Sequence, residues 1–216
     1  MFIVIDGNDG SGKWTQIQLL KKRFESEGKK VLVLDYPRYW NPSAYFVEKY
    51  LNWMYGREVS AKLASLFYAL DRFDHSFEVK QSMSEYDIII SNRYVSASMI
   101  HQAGKIEGEK ERAEFLSWLF DLEYHICWIP IPDKVIFLDV PPEVSKILIE
   151  KKEQREYIKD GKNKDIHEED ENHLRNAYDR AIDAVKTFWW EKVSCTKDWE
   201  MLPMDDITRM IIDKIV

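Results

Sequence analysis

The sequence predicts an α/β fold with three layers, in which a parallel β-sheet lies between helices on both of its faces. Two observations predict it. Short runs rich in β-branched residues, such as FIVID and DIIIS, alternate along the chain with long stretches of helical periodicity. The run DIIIS is also continuously apolar in its middle, which is typical of a strand buried on both faces.

The predicted elements follow one another in order along the chain. The first strand, FIVID, precedes a helix in WTQIQLLKKRFESEG, whose apolar residues recur at helical spacing until Gly28 stops it. The second strand is KVLVLDYP, and the third, DIIISNRY, follows a long helix in AKLASLFYALDRFDHSFEVKQSM. The fourth strand, DKVIFLDVP, follows a helix in EKERAEFLSWLFDLEYHI. The C-terminal SCTKDWEMLPMDDITRMI indicates only a generic strand followed by a helix.

Polar residues stand at or just past the ends of the four predicted strands. They are Asp6, Asp35, Asn92, Arg93 and Asp139. Since the carboxyl ends of parallel strands share one edge of the sheet, and ligands of such folds bind beyond that edge, we expect these residues near a ligand.

Length and composition indicate one domain, residues 1–216. The formal net charge of −7 argues against a general nucleic-acid binder, so we expect no nucleic-acid partner. Cys127 and Cys195 lie far apart, which is typical of reduced thiols and of neither a disulfide framework nor a zinc site. No signal-peptide pattern and no apolar stretch of about 18 residues are present, so we expect no membrane partner and a cytoplasmic location.

The first strand and helix are joined by a candidate phosphate-binding loop. Gly7, Gly12 and Lys13 match the spacing G-x-x-x-x-G-K, with a strand before it and a helix after it. Glycines let backbone N–H groups approach phosphate oxygens, and the helix N-terminus adds a partial positive charge. Lys13 would bring a full charge to the phosphates. The motif predicts a fold of the P-loop NTPase type.

Trp14 departs from this motif, because a small hydroxyl residue that helps to hold magnesium usually follows the lysine. Tryptophan has no oxygen ligand, and the Thr15 hydroxyl points elsewhere on a helix. Phosphates, waters and a nearby carboxylate would then hold Mg²⁺, with Asp9 as the candidate protein ligand. The phosphate cradle itself consists of backbone groups and does not depend on residue 14.

Three arginines predict a second anionic ligand. Arg38 stands beside tyrosines in DYPRYW, Arg93 follows the third strand, and Tyr68 and Arg72 share one face of a helix at i, i+4 spacing. Any one of these arginines alone would more often form a surface ion pair. All three together, each beside aromatic residues near the ligand edge of the sheet, favour a ligand with a ring and a phosphate.

A nearly continuous run of charged residues, EQREYIKDGKNKDIHEEDENH, follows the fourth strand and its helix. Composition alone fits a solvated loop and helix face equally well. The alternative is a mobile lid at about residues 151–170, whose basic side chains reach a phosphate.

Taken together, the motifs resemble those of the thymidylate kinases, within the nucleoside monophosphate kinases. The matching stretches occur in the family's order, from Phe2 to about Arg180. They are DGNDGSGKWTQ, DYPRY, PSAYFVEKYL, FYALDRFD, NRYVSASMIHQ, LDVPPEV and REYIKDGKNKDIHE. Each motif alone is weak, but the combination is specific.

The resemblance implies transfer of the γ-phosphoryl group of ATP to the 5′-phosphate of dTMP, with Mg²⁺ and in a homodimer built from helices. The residues implied to bind ATP are Gly7, Asn8, Asp9, Gly10, Ser11, Gly12, Lys13, Trp14 and Thr15. Those implied to bind the acceptor nucleotide are Tyr36, Arg38, Tyr39, Tyr68, Arg72, Arg93, Ser98, His101 and Gln102. The implied lid residues are Arg155, Lys159, Lys162, Lys164, Asp165 and Glu168, and the implied catalytic residues are Asp9, Lys13, Arg93 and Arg155.

Three departures from the family pattern modify this expectation. Members often carry Glu where Asp6 stands and Asp where Asn92 stands, and they place a small or a basic residue at the position of Trp14. A basic residue there would help to neutralise the transferring phosphoryl group, so we expect the lid to supply that charge in this chain.

Other functions fit parts of the pattern. A kinase for another mononucleotide or for a deoxynucleoside would share the phosphate loop, although the three arginines favour a monophosphate acceptor. A P-loop NTPase acting as a switch or assembly factor, or a nucleotide binder without catalysis, would also carry the loop.

Overall fold

The computed structural model describes residues 1–56, 58–156 and 171–215. Five parallel strands form one sheet in the order β2-β3-β1-β4-β5. The strands are β1 (Phe2–Gly7), β2 (Val31–Asp35), β3 (Ile88–Asn92), β4 (Lys134–Asp139) and β5 (Glu191–Ser194). Two short antiparallel strands, β6 (Thr196–Lys197) and β7 (Glu200–Met201), form a separate hairpin.

Helices connect the strands and cover both faces of the sheet. The described α-helices are α1 (Lys13–Ser26), α2 (Tyr45–Leu51), α3 (Ala61–Glu85), α4 (Val95–His101), α5 (Glu109–Phe120), α6 (Pro142–Glu156), α7 (Glu171–Thr187) and α8 (Met204–Ile215). No described helix is long and apolar enough to cross a bilayer.

The alternation of side chains along β1 divides the core between the two faces. Ile3 and Ile5 pack on the face covered by α1 and α8, whereas Phe2 and Val4 pack on the face with residues of α3, α4 and α5. All four side chains are fully buried, and such burial contributes about 1.5–3 kcal/mol for each large apolar side chain. Burial on both faces explains the uninterrupted apolar run and confirms the predicted three-layer α/β class.

The register of the sheet brings the polar strand ends to one edge, as predicted. Asp35 at the end of β2 lies opposite Asn92 at the end of β3, and Asn92 also lies opposite Ile5 of β1. On the other side, Asp6 pairs with Phe137 of β4. The loop after β1 therefore lies in the middle of the ligand edge, flanked by the ends of β3 and β4.

The structure differs from the sequence prediction near the C-terminus and in one helix. The sheet has a fifth strand, β5, which the apolar pattern missed because Val193 is its one fully buried side chain. The stretch predicted as a final strand instead forms the β6–β7 hairpin, while the final helix is present as α8. The helix predicted over EKERAEFLSWLFDLEYHI is α-helical to Phe120 and continues as a π-helical turn over Asp121–Ile126.

Candidate active site

The loop between β1 and α1 has the backbone geometry of a phosphate cradle. Gly7, Gly10 and Gly12 have φ angles of 153°, 78° and 82°, which only glycine adopts without strain. Space is equally restrictive at two of them. A Cβ on Gly7 would lie 2.9 Å from the Leu138 carbonyl oxygen, and one on Gly10 would lie 2.8 Å from that of Ser145. The glycines therefore permit both the turn and the close approach of the backbone of the β4–α6 region.

A buried carboxylate holds the start of this loop in place. Asp6 is fully buried, and it accepts hydrogen bonds from the Gly7 backbone N–H at 2.8 Å and from the Ser96 hydroxyl at 2.6 Å. Ser96 belongs to α4, so Asp6 joins the loop to the helix that follows β3. At the other end of the loop, no described side chain caps the N-terminus of α1 at Gly12. Its first N–H groups are thus available to an anion.

Lys13 is buried and turned back onto its own loop. Its Nζ donates to the carbonyl oxygens of Gly7 and Asn8, both at 2.8 Å, and lies 4.0 Å from Asp9 Oδ1. Burial and the charge of Arg93 lower the pKa of Lys13 to about 8, although Asp9 acts in the opposite direction. A phosphate in the cradle would offer Lys13 the full negative charge that two carbonyl dipoles do not.

Asp9 and Arg93 form an ion pair between the phosphate loop and the end of β3. The Arg93 Nη2 donates to Asp9 Oδ1, and its Nη1 lies 3.0 Å from His101 Nε2. Burial alone would raise the pKa of Asp9, but the charges of Arg93 and Lys13 hold it well below its usual range. Arg93 itself has a φ of 62°, a strained conformation for a bulky residue and one that is frequent at functional sites.

A cavity of about 370 Å³ opens beside this ion pair. All of the residues implied to bind the acceptor nucleotide line it, with the exception of Arg38. These lining residues are Tyr36, Tyr39, Tyr68, Arg72, Arg93, Ser98, His101 and Gln102, and Asp9 lies among them. The volume lies in the range of small-molecule sites, and the lining combines aromatic rings with a few polar groups.

Arg72 lies at the buried side of this cavity and is neutralised there. It is 2% exposed, and its Nε and Nη2 both donate to Glu123, which is fully buried in the π-helical turn. Nη1 donates to the Tyr94 carbonyl oxygen at 3.2 Å, and Nη2 also donates to Ser98 Oγ at 3.1 Å. Because the carboxylate of Glu123 cancels its charge, Arg72 offers directed N–H groups more than net positive charge.

Arg38 does not reach the cavity wall. Its backbone N–H and its Nε donate to Asp71 at 2.8 and 3.1 Å, and its Nη2 donates to Ser43 Oγ at 2.7 Å and to Asp74. These contacts attach the loop after β2 to helix α3. The prediction that Arg38 holds a phosphate stays a prediction, since the structure places its guanidinium among acids.

Asp35 and Asn92, which the sequence placed at strand ends near a ligand, also line the cavity, and the Asn92 amide donates to Asp35 Oδ1 at 2.7 Å. Sequence reasoning missed two other residues that shape the site. One is Tyr94, which lines the cavity as well. Glu123 is the larger omission, since it lies 51 residues from Arg72 and only the tertiary fold brings the two together.

The residues of the Mg²⁺ prediction and of the lid are only partly described. Trp14 is 51% exposed in the first turn of α1, and Thr15 lies next to it on the helix. The described residues contain no group of three or more His, Cys, Asp or Glu side chains suited to a metal ion. A single carboxylate, Asp9, together with nucleotide phosphates and waters fits the way Mg²⁺ is usually held. Arg155 belongs to α6, but its side chain lies outside the described residues, as do Lys159, Lys162, Lys164, Asp165 and Glu168.

Comparisons with known proteins agree with this geometry. A family model described as thymidylate kinase matches residues 5–200. The thymidylate kinase of Mycobacterium tuberculosis is 30% identical over 148 residues, covering 67% of this chain and 68% of that protein. A probable thymidylate kinase of Thermococcus kodakarensis is 31% identical over 152 residues, covering 67% of this chain and 69% of that protein.

A solved structure of thymidylate kinase from Candida albicans superposes with a TM-score of 0.73, covering 99% of this chain and 90% of that chain. At 18% sequence identity this likeness establishes the fold, and it confirms the predicted P-loop NTPase type. The family model, which matches most of the chain, confirms the resemblance found in the motifs. The chain therefore belongs to the thymidylate kinase family, whose members are phosphotransferases of the nucleoside monophosphate kinase type.

Proposed function

We propose that this protein transfers the γ-phosphoryl group of ATP to the 5′-phosphate of dTMP, forming dTDP and ADP. The observation that carries the proposal is the contact between the phosphate loop and the cavity. Asp9 belongs to the phosphate loop and also lines the cavity, where it contacts Arg93. A donor on the loop and an acceptor in the cavity would thus meet at one ion pair.

Phosphoryl transfer requires chiefly that donor and acceptor lie in line, that their charge is neutralised and that water is excluded. The cradle glycines and the N-terminus of α1 would hold the ATP phosphates, with Lys13 turning from its carbonyl partners toward them. Arg93 would hold the acceptor phosphate next to the transferring group. The acceptor phosphate is already ionised near neutral pH, so no strong general base is needed.

The aromatic and buried polar residues would bind the nucleoside. Tyr68 would stack on the base, since it lines the cavity together with Arg72. Arg72, whose charge Glu123 neutralises, suits a neutral acceptor such as a pyrimidine carbonyl better than it suits a phosphate. Ser98 and Gln102 are buried in the same wall, and the Gln102 Oε1 atom has no hydrogen-bond partner among the described residues. It could accept from the base.

We also assign Mg²⁺ and the lid within this proposal. Mg²⁺ would be held by Asp9, nucleotide phosphates and waters, and when bound it supplies positive charge to the transferring phosphoryl group. The segment at about residues 151–170 would close over ATP, with Arg155 and the lysines that follow it replacing the charge that Trp14 lacks. In this proposal residues 1–216 form one kinase domain, active in the cytoplasm.

Steady-state kinetics with ATP and a panel of acceptors tests the proposal. We expect dTMP to show the highest kcat/KM among the common deoxynucleoside monophosphates and thymidine. Arg93→Ala should lower kcat/KM for dTMP by about a hundredfold or more, because charge-assisted hydrogen bonds are lost in a buried site. Arg209→Ala is the matched control, since Arg209 is 71% exposed on α8 and pairs only with Asp206 among the described residues.

The same assay separates the alternatives. Near-normal turnover in Arg93→Ala would contradict the proposed site. Phosphorylation of thymidine without dTMP turnover would indicate a nucleoside kinase. Slow ATP hydrolysis that no acceptor stimulates would indicate a switch NTPase, and ATP binding without any turnover would indicate a nucleotide binder.

A homodimer through α3 completes the proposal. Leu63, Leu70, Phe73 and Phe77 are 45%, 48%, 39% and 63% exposed, and they follow the a and d spacing of a heptad along this helix. Such an exposed apolar stripe suits the same helix of a second copy. We expect sedimentation of the wild type as a dimer and of Phe77→Glu as a monomer. A monomeric wild type would contradict this interface.

A further inference from the structure

The hydroxyl of Tyr36 has a specific partner on helix α3. The Tyr36 hydroxyl oxygen lies 2.9 Å from Nδ1 of His75, and the two rings meet edge to face with centroids 5.6 Å apart. Tyr36 lines the cavity and is 4% exposed, whereas His75 is not part of the cavity wall. His75 therefore contacts a wall residue from behind.

The surroundings of His75 favour one tautomer of the neutral ring. Nε2 lies 3.6 Å from the Glu78 carboxylate, which favours a proton on Nε2. Nδ1 is then left as an acceptor for the Tyr36 O–H. A protonated imidazole carries hydrogen on both nitrogens, and its Nδ1 would donate to the Tyr36 oxygen, so that a hydrogen bond remains with its direction reversed.

The charged groups that face His75 come from two elements. Arg38, in the loop after β2, acts against protonation, while Asp71, Asp74 and Glu78 of α3 act in its favour. Burial has the largest effect, and together with Arg38 it lowers the pKa of His75 below its ordinary value of about 6.5. The ring is therefore neutral at physiological pH.

We propose that His75 is a positioning residue of the acceptor site, which fixes the Tyr36 ring in the cavity wall through the Tyr36 hydroxyl. Arg38 already attaches the same loop to Asp71 and Asp74, and His75 provides a further attachment to α3. The identity of the ligand, dTMP, rests on the proposed function. The attachment of Tyr36 to His75 does not depend on which ligand the cavity binds.

Equilibrium binding of dTMP by calorimetry, between about pH 5.5 and pH 8, tests the proposal in four proteins. These are the wild type, His75→Asn, whose amide oxygen can still accept, His75→Leu, which cannot, and Tyr36→Phe, which lacks the donor. At the upper pH we expect His75→Leu and Tyr36→Phe to bind about three- to tenfold more weakly than wild type. His75→Asn should retain most of the affinity.

The comparison of the four proteins distinguishes positioning from general damage to the fold. dTMP itself titrates near pH 6, and this effect is common to all four proteins. Because His75 keeps a hydrogen bond to Tyr36 in either protonation state, wild type and His75→Asn should bind more tightly than Tyr36→Phe at every pH in this range. Wild-type affinity in His75→Leu or in Tyr36→Phe, or an affinity of His75→Asn as low as that of His75→Leu, would overturn the proposal.

A measurement without substrate separates this proposal from the proposed function. In nitrogen-15 NMR at about pH 8, Tyr36→Phe should shift the Nδ1 resonance of neutral His75, because Nδ1 loses the hydrogen bond from the Tyr36 O–H. An unchanged Nδ1 resonance in Tyr36→Phe overturns the attachment, whether or not dTMP binds. Absence of dTMP binding in the folded wild type instead refutes the proposed function.

A second, independent inference concerns the tryptophans. Five of the eight in the chain have positive φ angles, between 50° and 71°. They are Trp40, Trp53, Trp128, Trp189 and Trp199. Bulky L-residues are strongly disfavoured in this left-handed region, where glycine is the default. Four of the five side chains are at least 70% exposed, so little packing compensates for the strain.

The local structures are those that call for glycine. Trp53 follows α2 in a Schellman motif, in which its N–H donates to Tyr50 and the N–H of Met54 donates to Lys49. Gly28 ends α1 with the same pair of hydrogen bonds and a φ of 80°. The hairpin between β6 and β7 turns through Asp198 and Trp199, both with positive φ, where Asp-Gly is the preferred pair.

Composition points the same way. The chain has 8 glycines and 8 tryptophans in 216 residues. Glycine makes up about 7% of an average protein, so about 15 glycines would be expected in a chain of this length. Five of the seven non-glycine residues with positive φ among the described residues are tryptophan, which indicates a single cause. We infer that one codon, translated here as tryptophan, is read as glycine at these five positions in the cell that makes the protein.

Peptide mass spectrometry of the protein isolated from its own source tests this inference. Peptides with glycine at the five positions would support it, and peptides with tryptophan there would overturn it. Urea unfolding gives a second measurement: the chain with glycine at all five positions should unfold at higher urea than the chain with tryptophan. Trp118→Gly is the matched control and should unfold at lower urea, since Trp118 packs against Phe115. A five-glycine chain of lower stability would contradict the inference.

Discussion

Removal of Glu123 should cost this protein a large part of its stability, because the carboxylate is the charged partner of a buried guanidinium. Arg72 is 2% and Glu123 0% exposed, and two nitrogens of Arg72 donate to the two carboxylate oxygens. Glu123→Ala leaves Arg72 in a site with little water and with only Tyr94 O and Ser98 Oγ as partners among the described residues. Breaking such a pair from one side costs about 3–5 kcal/mol, against a total stability of about 5–15 kcal/mol for a typical domain.

Urea unfolding followed by tryptophan fluorescence measures this loss as a shift of the midpoint at constant m value. The matched control is Glu27→Ala, which removes an ion pair of 2.6 Å with Arg23 on the surface of α1, where the side chains are 61% and 43% exposed. We expect the control to lose less than about 0.5 kcal/mol. The double variant Arg72→Met/Glu123→Leu should recover part of the loss, since it leaves no buried charge unpaired. Equal losses in Glu123→Ala and Glu27→Ala would refute the reasoning.

Three further predictions concern turnover. Lys13→Ala should lose most activity. In the wild type, kcat/KM for ATP should fall as the pH rises above about 8, because Lys13 then loses its proton. The variant Lys13→Arg should lack this decline. Tyr68→Ala should raise KM for dTMP about tenfold or more with a smaller change in kcat, because stacking on a base is worth about 1–3 kcal/mol. Arg155→Ala should lower kcat with little change in KM for dTMP if the lid replaces the charge missing at Trp14, and an unchanged kcat would contradict that role.

The sheet and the phosphate loop were predictable because their signals are local. Burial on both faces of β1 and β3 requires continuous apolar runs, and the loop needs glycine wherever φ is positive or the backbone is close. The strand β5 was not predictable in the same way. It lies at an edge of the sheet and, among the strands of the described residues, pairs only with β4, so Val193 is its sole deeply buried side chain and no apolar pattern forms.

The lining of the cavity could be predicted from the residue types, but the electrostatics within it could not. Tyrosines and arginines after β2, on α3 and after β3 converge because parallel strands end at one edge. Which acid meets which arginine depends on tertiary contacts. Asp71 precedes Arg72 in sequence, yet Asp71 pairs with Arg38, and Arg72 pairs with Glu123 from a distant helix.

The ion pair of Asp9 and Arg93 is the contact that substrate binding must change most. A phosphate in the cavity would compete with Asp9 for the Arg93 guanidinium, because both offer charged oxygens to the same N–H groups. Its low pKa keeps Asp9 ionised, so once displaced it is ready to serve Mg²⁺ without losing a proton. Asp9→Asn should therefore bind dTMP at least as tightly as wild type, since the competitor for Arg93 is weaker, while kcat falls because Mg²⁺ loses its carboxylate. Weaker dTMP binding together with an unchanged kcat in Asp9→Asn would show that the carboxylate holds the acceptor directly and does not act through Arg93 and Mg²⁺.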